Sequence, residues 1–136
     1  MTSAINAGFD GGLFAITLLT ADLSASSTFY GEKLGLTLVY NDEVSAVYKC
    51  GQTMLNLLHV STAGELLEPA TVGDLGAAAG AVAVYTLRVA NVDAVVAELL
   101  AAGVELLNGP IDRPWGVRTA SFRDPSGHVW ELADHK

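Results

Sequence analysis

The sequence contains an internal repeat, and this repeat limits the possible fold more than any other feature. Residues 17–35 read TLLTADLSASSTFYGEKLG, and residues 86–103 read TLRVANVDAVVAELLAAG. Each segment starts as an extended run, passes Asp22 or Asn91, and then takes on helical spacing. Asp and Asn are favourable helix N-caps because a side-chain oxygen accepts a free backbone N–H. The repeat therefore predicts two β–α units of the same kind.

Three short β-like runs follow each predicted helix, at residues 36–40, 44–50, 53–60, 104–108, 117–123 and 129–133. The segment DPSG before the last run is a strong turn signal, because proline and glycine favour tight turns. We predict an α+β fold of two tandem βαβββ modules, whose free sheet faces form a curled mixed sheet around a cleft. The predicted division is a leader at 1–13, a first module at 14–60, a linker at 61–80 and a second module at 81–136, in one structural domain overall.

The composition favours a single globular domain and argues against two classes of partner. Of the 136 residues, 51% are hydrophobic and 16% are charged, which fits one domain with a buried core. The net charge of -8 argues against nucleic acid and anionic membrane surfaces as partners, since both would be repelled. The N-terminus lacks the pattern of a signal peptide, and a single cysteine allows no intramolecular disulfide. We therefore expect a cytoplasmic protein.

The repeat and the closing segment RPWGVRTASFRDPSGHVWEL together resemble the vicinal oxygen chelate superfamily. This superfamily comprises the glyoxalases, the bleomycin-resistance proteins and the extradiol dioxygenases. The likeness extends over roughly residues 14–133, and the WEL ending with its preceding turn is its most specific part. The resemblance implies a cleft that holds a divalent metal ion in the enzymes. In the antibiotic-binding members, the same cleft binds a drug without a metal.

The resemblance also implies where metal ligands would stand. The last-strand glutamate of the family corresponds to Glu131, and the first-strand positions of the two modules correspond to Ala15 and Val84. The fourth position, the first-module counterpart of Glu131, falls on either Leu55 or Asn56. A methyl group and an isopropyl group cannot donate an electron pair, so these positions lack a catalytic ligand set. We therefore expect no metal ion and no other cofactor.

Glu131 permits three interpretations. It could be a general base, since burial would raise the pKa of its carboxyl. It could contact a ligand directly. It could instead be an inherited residue that is hydrogen-bonded to Thr17 or Thr86, both of which should face the cleft by strand alternation.

Trp115 lies between a proline and a glycine in the predicted loop before the strand at 117–123. A tryptophan there can stack on a flat ligand or a cation, or it can close the hydrophobic edge of the sheet. Trp130, which alternates with Glu131, is predicted to belong to the core. The predicted ligand-binding residues are Ala15, Thr17, Asn56, Val84, Thr86, Trp115 and Glu131.

The sequence thus predicts a bleomycin-resistance-like protein that binds a small planar or cationic organic molecule in a metal-free cleft. One alternative is a cofactor-free lyase or isomerase with Glu131 as its general base. Another is a glyoxalase- or dioxygenase-type enzyme with a degenerate metal site. Since members of the superfamily usually pair, the resemblance also implies a homodimer.

Overall fold

The computed structural model describes residues 11–135 and contains the two predicted βαβββ modules. The α+β fold is therefore confirmed. Residues 1–10 of the predicted leader lie outside the described residues. The first module consists of β1 (Ala15–Thr20), α1 (Leu23–Thr28), β2 (Thr37–Asn41), β3 (Ser45–Cys50) and β4 (Thr53–His59). The second module consists of β5 (Val84–Arg88), α3 (Val92–Ala101), β6 (Leu106–Asp112), β7 (Val117–Arg123) and β8 (Val129–His135).

Both module helices begin at the predicted N-cap residues. The Asp22 side chain accepts a hydrogen bond from the backbone N–H of Ala25 at 3.0 Å, and the Asn91 side chain accepts one from Ala94 at 3.1 Å. After α1, the chain continues into a single π-helical turn at Phe29–Lys33. The same local device therefore starts the helix of each module, as expected from the repeat.

Each module folds its strands into a separate four-stranded mixed sheet. The order is β1-β4-β3-β2 in the first sheet and β5-β8-β7-β6 in the second. The first strand of each module pairs in parallel with the last, and the remaining neighbours are antiparallel. The two sheets thus repeat one topology.

Strand β6 extends further than the sequence predicted. The predicted strand ended at Asn108, whereas the observed strand continues to Asp112. An irregularity at Gly109 and Pro110 shifts the register between Asn108 and Ile111, after which the pairing with β7 resumes. Gly109 has a φ of 90°, and a Cβ atom there would lie 2.5 Å from the Thr119 carbonyl oxygen. Only glycine fits this close approach, so the Gly-Pro pair forms a bulge instead of ending the strand.

Helix α1 and the π-helical turn after it contact residues of both sheets. The Tyr48 hydroxyl, from the first sheet, donates a hydrogen bond to the Ser27 carbonyl oxygen in α1. Just after α1, the Phe29 ring lies 6.0 Å from that of Phe122 in the second sheet. Buried residues from both sheets and both helices form one hydrophobic cluster. We call the sheet faces that border this core the inner faces, and the opposite faces the open faces.

The segment between the modules contains a 3₁₀ turn at Val60–Thr62 and the short helix α2 (Gly64–Leu67). It returns to the second module at Gly76, whose N–H donates to the Ser126 carbonyl oxygen at 2.7 Å. Within residues 11–135, every helix is too short or too polar to cross a membrane.

Candidate functional site

Four polar residues form a row across the open face of the second sheet. Cross-strand pairing aligns Asn108 on β6 with Ser121 on β7, Ser121 with Glu131 on β8, and Glu131 with Thr86 on β5. Directly paired residues point to the same face of a sheet. We call these four residues the polar row. They bring hydroxyl, amide and carboxylate groups together on one surface.

The carboxylate of Glu131 is held at one of its two oxygens. The Thr86 hydroxyl donates a hydrogen bond to Glu131 Oε1 at 2.9 Å. Within the described residues, the second oxygen, Oε2, has no hydrogen-bond partner or ion-pair partner. One oxygen therefore fixes the side chain, while the other is free to accept a hydrogen bond from a bound molecule.

The first module has a matching pair. Asn56 on β4 aligns with Thr17 on β1, and its amide nitrogen donates to the Thr17 hydroxyl oxygen at 3.3 Å. Leu55 points to the inner face and is buried. The structure therefore decides between the two sequence alternatives, since Asn56 occupies the position that Glu131 holds in the second module.

The Asn56 carbonyl oxygen Oδ1 is buried and has no hydrogen-bond partner within the described residues. A buried acceptor without a partner costs about 1–3 kcal/mol relative to a satisfied one. The residues of the first sheet that align across its strands at Asn56 are less polar than the polar row of the second sheet. These residues are Tyr40, Val47, Asn56 and Thr17.

The donor atoms at the family's metal positions do not fit a divalent ion. Ala15 and Val84 offer no lone pair, Asn56 offers an amide, and Glu131 offers the single carboxylate. Across residues 11–135, no group of three or more His, Cys, Asp or Glu side chains is close enough to hold a metal ion. Catalytic sites for such ions use about three protein ligands, so this set is too poor in donors.

The two tryptophans have different environments. The side chain of Trp130 lies in the core, as predicted, with 3% of its surface exposed. Trp115 lies in the loop between β6 and β7 and is 70% exposed. Trp115 therefore does not close a hydrophobic edge within one chain, and its ring is accessible for stacking.

Arg113 is a residue that the sequence reasoning missed. It lies in the turn before Trp115, and its side chain folds back over the open face. Its Nε donates to the Thr119 hydroxyl oxygen at 2.9 Å, and one terminal nitrogen donates to Asn108 Oδ1 at 3.3 Å. Thr119 and Ser121 alternate with Ala120 and Phe122 on β7, a pattern that could have indicated a polar open face. No comparable sequence pattern indicates that the Arg113 side chain folds back.

Among the residues that the structure describes, two cavities that border predicted site residues lie where the modules meet. One, of about 390 Å³, is lined by Val84 and Thr86 together with residues of the first module that include Cys50. Partial burial raises the pKa of the Cys50 thiol above its ordinary value. The other, of about 400 Å³, lies between Thr17 on β1, the segment between the modules and the start of β8. The predicted site residues thus fall into separate groups within one chain, with Thr17 and Asn56 in one sheet and the polar row in the other.

A family model described as the Glyoxalase/Bleomycin resistance protein/Dioxygenase superfamily matches residues 12–132. No curated protein sequence matches the chain.

Several solved structures are similar over most of the chain. A glyoxalase/bleomycin resistance protein/dioxygenase from Nocardioides is 25% identical, with a TM-score of 0.78, covering 93% of this chain and 84% of that one. A glyoxalase-related enzyme from Fulvimarina pelagi is 27% identical, with a TM-score of 0.78 and coverage of 91% and 88%. A lactoylglutathione lyase from Agrobacterium tumefaciens, at 21% identity and a TM-score of 0.74, covers 93% and 96% and shares the fold.

Proposed function

The chain belongs to the glyoxalase/bleomycin resistance protein/dioxygenase superfamily, and we propose that it binds a small organic molecule without a metal ion. The binding surface is the open face of the second sheet, with Glu131, Thr86, Val84 and Trp115 as contact residues. A cationic or N–H-bearing group of the ligand is held by Glu131. The ring of Trp115 stacks on a flat part of the same molecule.

The observation that carries this proposal is the half-satisfied carboxylate of Glu131. Thr86 holds Oε1, whereas Oε2 has no partner within the described residues. A carboxylate without metal-ligating neighbours is suited to accept hydrogen bonds from an ammonium or amide group. The excess of acidic residues, 15 against 7 basic ones, also favours a cationic group over a polyanion.

Isothermal titration with 4-methylbenzylamine tests this proposal, since this probe joins a flat ring to one cation. We expect Glu131→Gln and Trp115→Ala each to weaken binding by about tenfold or more. Glu98→Gln is the matched control, because Glu98 is exposed on α3 and its substitution removes the same charge. Equal affinity of the wild type and of the Glu131, Thr86 and Trp115 variants would overturn the assignment of the site.

The free oxygen of Glu131 also favours a second candidate function, that of a cofactor-free lyase or isomerase. In that case Oε2 removes a proton from a carbon acid, and the Thr86 hydroxyl orients the carboxylate. Loss of turnover in Glu131→Gln with retained substrate binding would support this function. A fully active Glu131→Gln variant would rule out the base.

We further propose that the protein is a homodimer in which a second copy packs over the open faces and leaves the ligand cleft between the two chains. These faces carry apolar or aromatic side chains that one chain leaves exposed, including Val84 and Tyr40 at 55% each and Ile111 at 44%. Covering them with a second chain would remove this surface from water. Sedimentation velocity at micromolar concentration should give a dimer, and a stable monomer would contradict this proposal.

A further inference from the structure

Arg113 is fixed above the open face of the second sheet by two neutral groups. Its Nε donates to the Thr119 hydroxyl oxygen and its terminal nitrogen donates to Asn108 Oδ1. Thr119 is buried and Arg113 is partly buried, so the arginine lies against the sheet and does not extend into solvent. The guanidinium group is therefore held in one position before any ligand arrives.

This guanidinium has no carboxylate partner within the described part of the chain. Its sequence neighbour Asp112 pairs with Arg118 at 3.1 Å, and Arg118 also contacts Asp93 at 2.7 Å. Two hydrogen bonds leave several N–H groups of Arg113 unused. Although the chain carries a net charge of -8, Arg113 thus stands without an acidic partner among residues 11–135.

Arg113 and Glu131 stand toward opposite ends of the same surface. Arg113 is anchored at Asn108 on the outermost strand β6, and Glu131 is two strands away on β8. Because Arg113 is also anchored at Thr119 on β7, its guanidinium lies over β6 and β7. With neighbouring strands about 4.8 Å apart, it stands one to two strands, roughly 5–10 Å across the sheet, from β8. Ser121 lies between them in the polar row. The open face therefore presents a cation and an anion at a distance that one small molecule can span.

We infer that Arg113 is an anion-recognising residue of this site, and that the ligand carries a carboxylate as well as a cationic or N–H donor group. The inference rests on the proposed function, and it narrows the ligand from a cationic molecule to a bipolar one. A carboxylate fits because the planar fork of a guanidinium can bind both of its oxygens at once. The carboxylate lies at Arg113, and the donor group lies at Glu131.

Three probes with the same ring distinguish the contribution of the anionic group to binding from that of the cationic group. They are 4-(aminomethyl)benzoate, which carries both groups, 4-methylbenzoate, which carries the anion alone, and 4-methylbenzylamine, which carries the cation alone. Titration calorimetry at low ionic strength measures each of them against the wild type, Arg113→Gln and Arg113→Lys. Arg118→Gln is the matched control, because it removes one arginine charge from the neighbouring strand β7 while its partners Asp93 and Asp112 lie off the polar row.

The wild type should bind 4-(aminomethyl)benzoate more tightly than either single-charge probe. Arg113→Gln should weaken binding of both carboxylates by about tenfold or more and leave 4-methylbenzylamine within about twofold. Arg113→Lys should retain part of the affinity, because it keeps the charge but loses the planar fork. Arg118→Gln should bind all three probes as the wild type does.

If Arg113→Gln bound 4-(aminomethyl)benzoate and 4-methylbenzoate as tightly as the wild type does, the inference would be overturned. If 4-methylbenzylamine still bound through Glu131 in that case, the proposed function would stand without a role for Arg113. If none of the probes bound to the wild type at millimolar concentration, both proposals would fail. Thermal unfolding of each variant shows whether a lost signal reflects a lost fold.

Discussion

The Tyr30 hydroxyl donates a hydrogen bond to Asp124 Oδ2 at 2.6 Å and so joins the helical segment of the first module to the last turn of the second. The same hydroxyl oxygen accepts a hydrogen bond from the indole N–H of Trp130 at 2.9 Å. All three side chains are buried. The Asp124 oxygen Oδ1 meanwhile accepts from the backbone N–H groups of Ser126 and His128. This network fixes the start of β8, the strand that carries Glu131.

Tyr30→Phe should lower the free energy of unfolding by about 2–6 kcal/mol. The substitution leaves Asp124 Oδ2 and the Trp130 N–H buried without their partner, and each loss costs about 1–3 kcal/mol. Tyr40→Phe is the matched control, because the Tyr40 hydroxyl bonds to Asp42 on the exposed surface. Urea unfolding should place the control within about 0.5 kcal/mol of the wild type. Equal stability of the two variants would show that the network contributes little.

The stability of the fold should fall above pH 10. Burial, followed by the charge of Asp124, raises the pKa of Tyr30 above its ordinary value of 10.0. As the pH rises, the unfolded chain therefore loses this proton before the folded chain does. The contribution of Tyr30 is complete below pH 10 and is lost above it, by up to about 1.4 kcal/mol per pH unit.

Urea unfolding between about pH 9 and pH 11 measures this effect. Tyr30→Phe should have a shallower alkaline decline than the wild type, whereas Tyr40→Phe should keep most of the wild-type decline. Parallel curves for the wild type and Tyr30→Phe would mean that the Tyr30 hydroxyl titrates in the folded state as it does in the unfolded chain.

Neighbouring substitutions on β4 test the strand register. Leu55→Ala should cost about 2–5 kcal/mol, because Leu55 is fully buried on the inner face. Asn56→Ala should cost less than about 1 kcal/mol, since it also removes an acceptor that is buried without a partner. Chemical denaturation of both variants gives the comparison. If Asn56→Ala lowered the free energy of unfolding more than Leu55→Ala, then Leu55, and not Asn56, would be the first-module equivalent of Glu131.

Fluorescence distinguishes the two tryptophans. Trp115 is 70% exposed and Trp130 only 3%, so acrylamide should quench Trp115 strongly and Trp130 weakly. In Trp115→Phe, the remaining emission should shift to shorter wavelength and resist quenching. The free energy of unfolding should change by less than about 0.5 kcal/mol, as is usual for an exposed side chain. Emission that is still strongly quenched in Trp115→Phe would contradict the exposure of this ring.

Most of the fold was predictable because its signals are local. Asp22 and Asn91 mark the helix starts through hydrogen bonds that span only a few residues. The prediction that β6 ends at Asn108 was wrong, because Gly109 and Pro110 are residues that commonly end a strand. In the structure they form a bulge that depends on the neighbouring strand.

The candidate site was predictable only in part. Strand alternation placed Thr17, Thr86 and Glu131 toward the cleft, but it left open which of the two threonines bonds to Glu131. It also left open the choice between Leu55 and Asn56, because a slip of one residue exchanges the two faces of a strand. Arg113 was missed because its role depends on a side chain that folds back onto Thr119 and Asn108, which no sequence spacing reports.

We propose above all that Glu131 binds an organic ligand and not a metal ion. Elemental mass spectrometry tests this most directly, on protein purified without chelator and with any affinity tag removed. We predict zinc, nickel, iron and manganese far below one ion per chain, in the wild type and in Glu131→Gln alike. Near-stoichiometric metal in the wild type that is lost in Glu131→Gln would contradict the account and would identify Glu131 as a metal ligand.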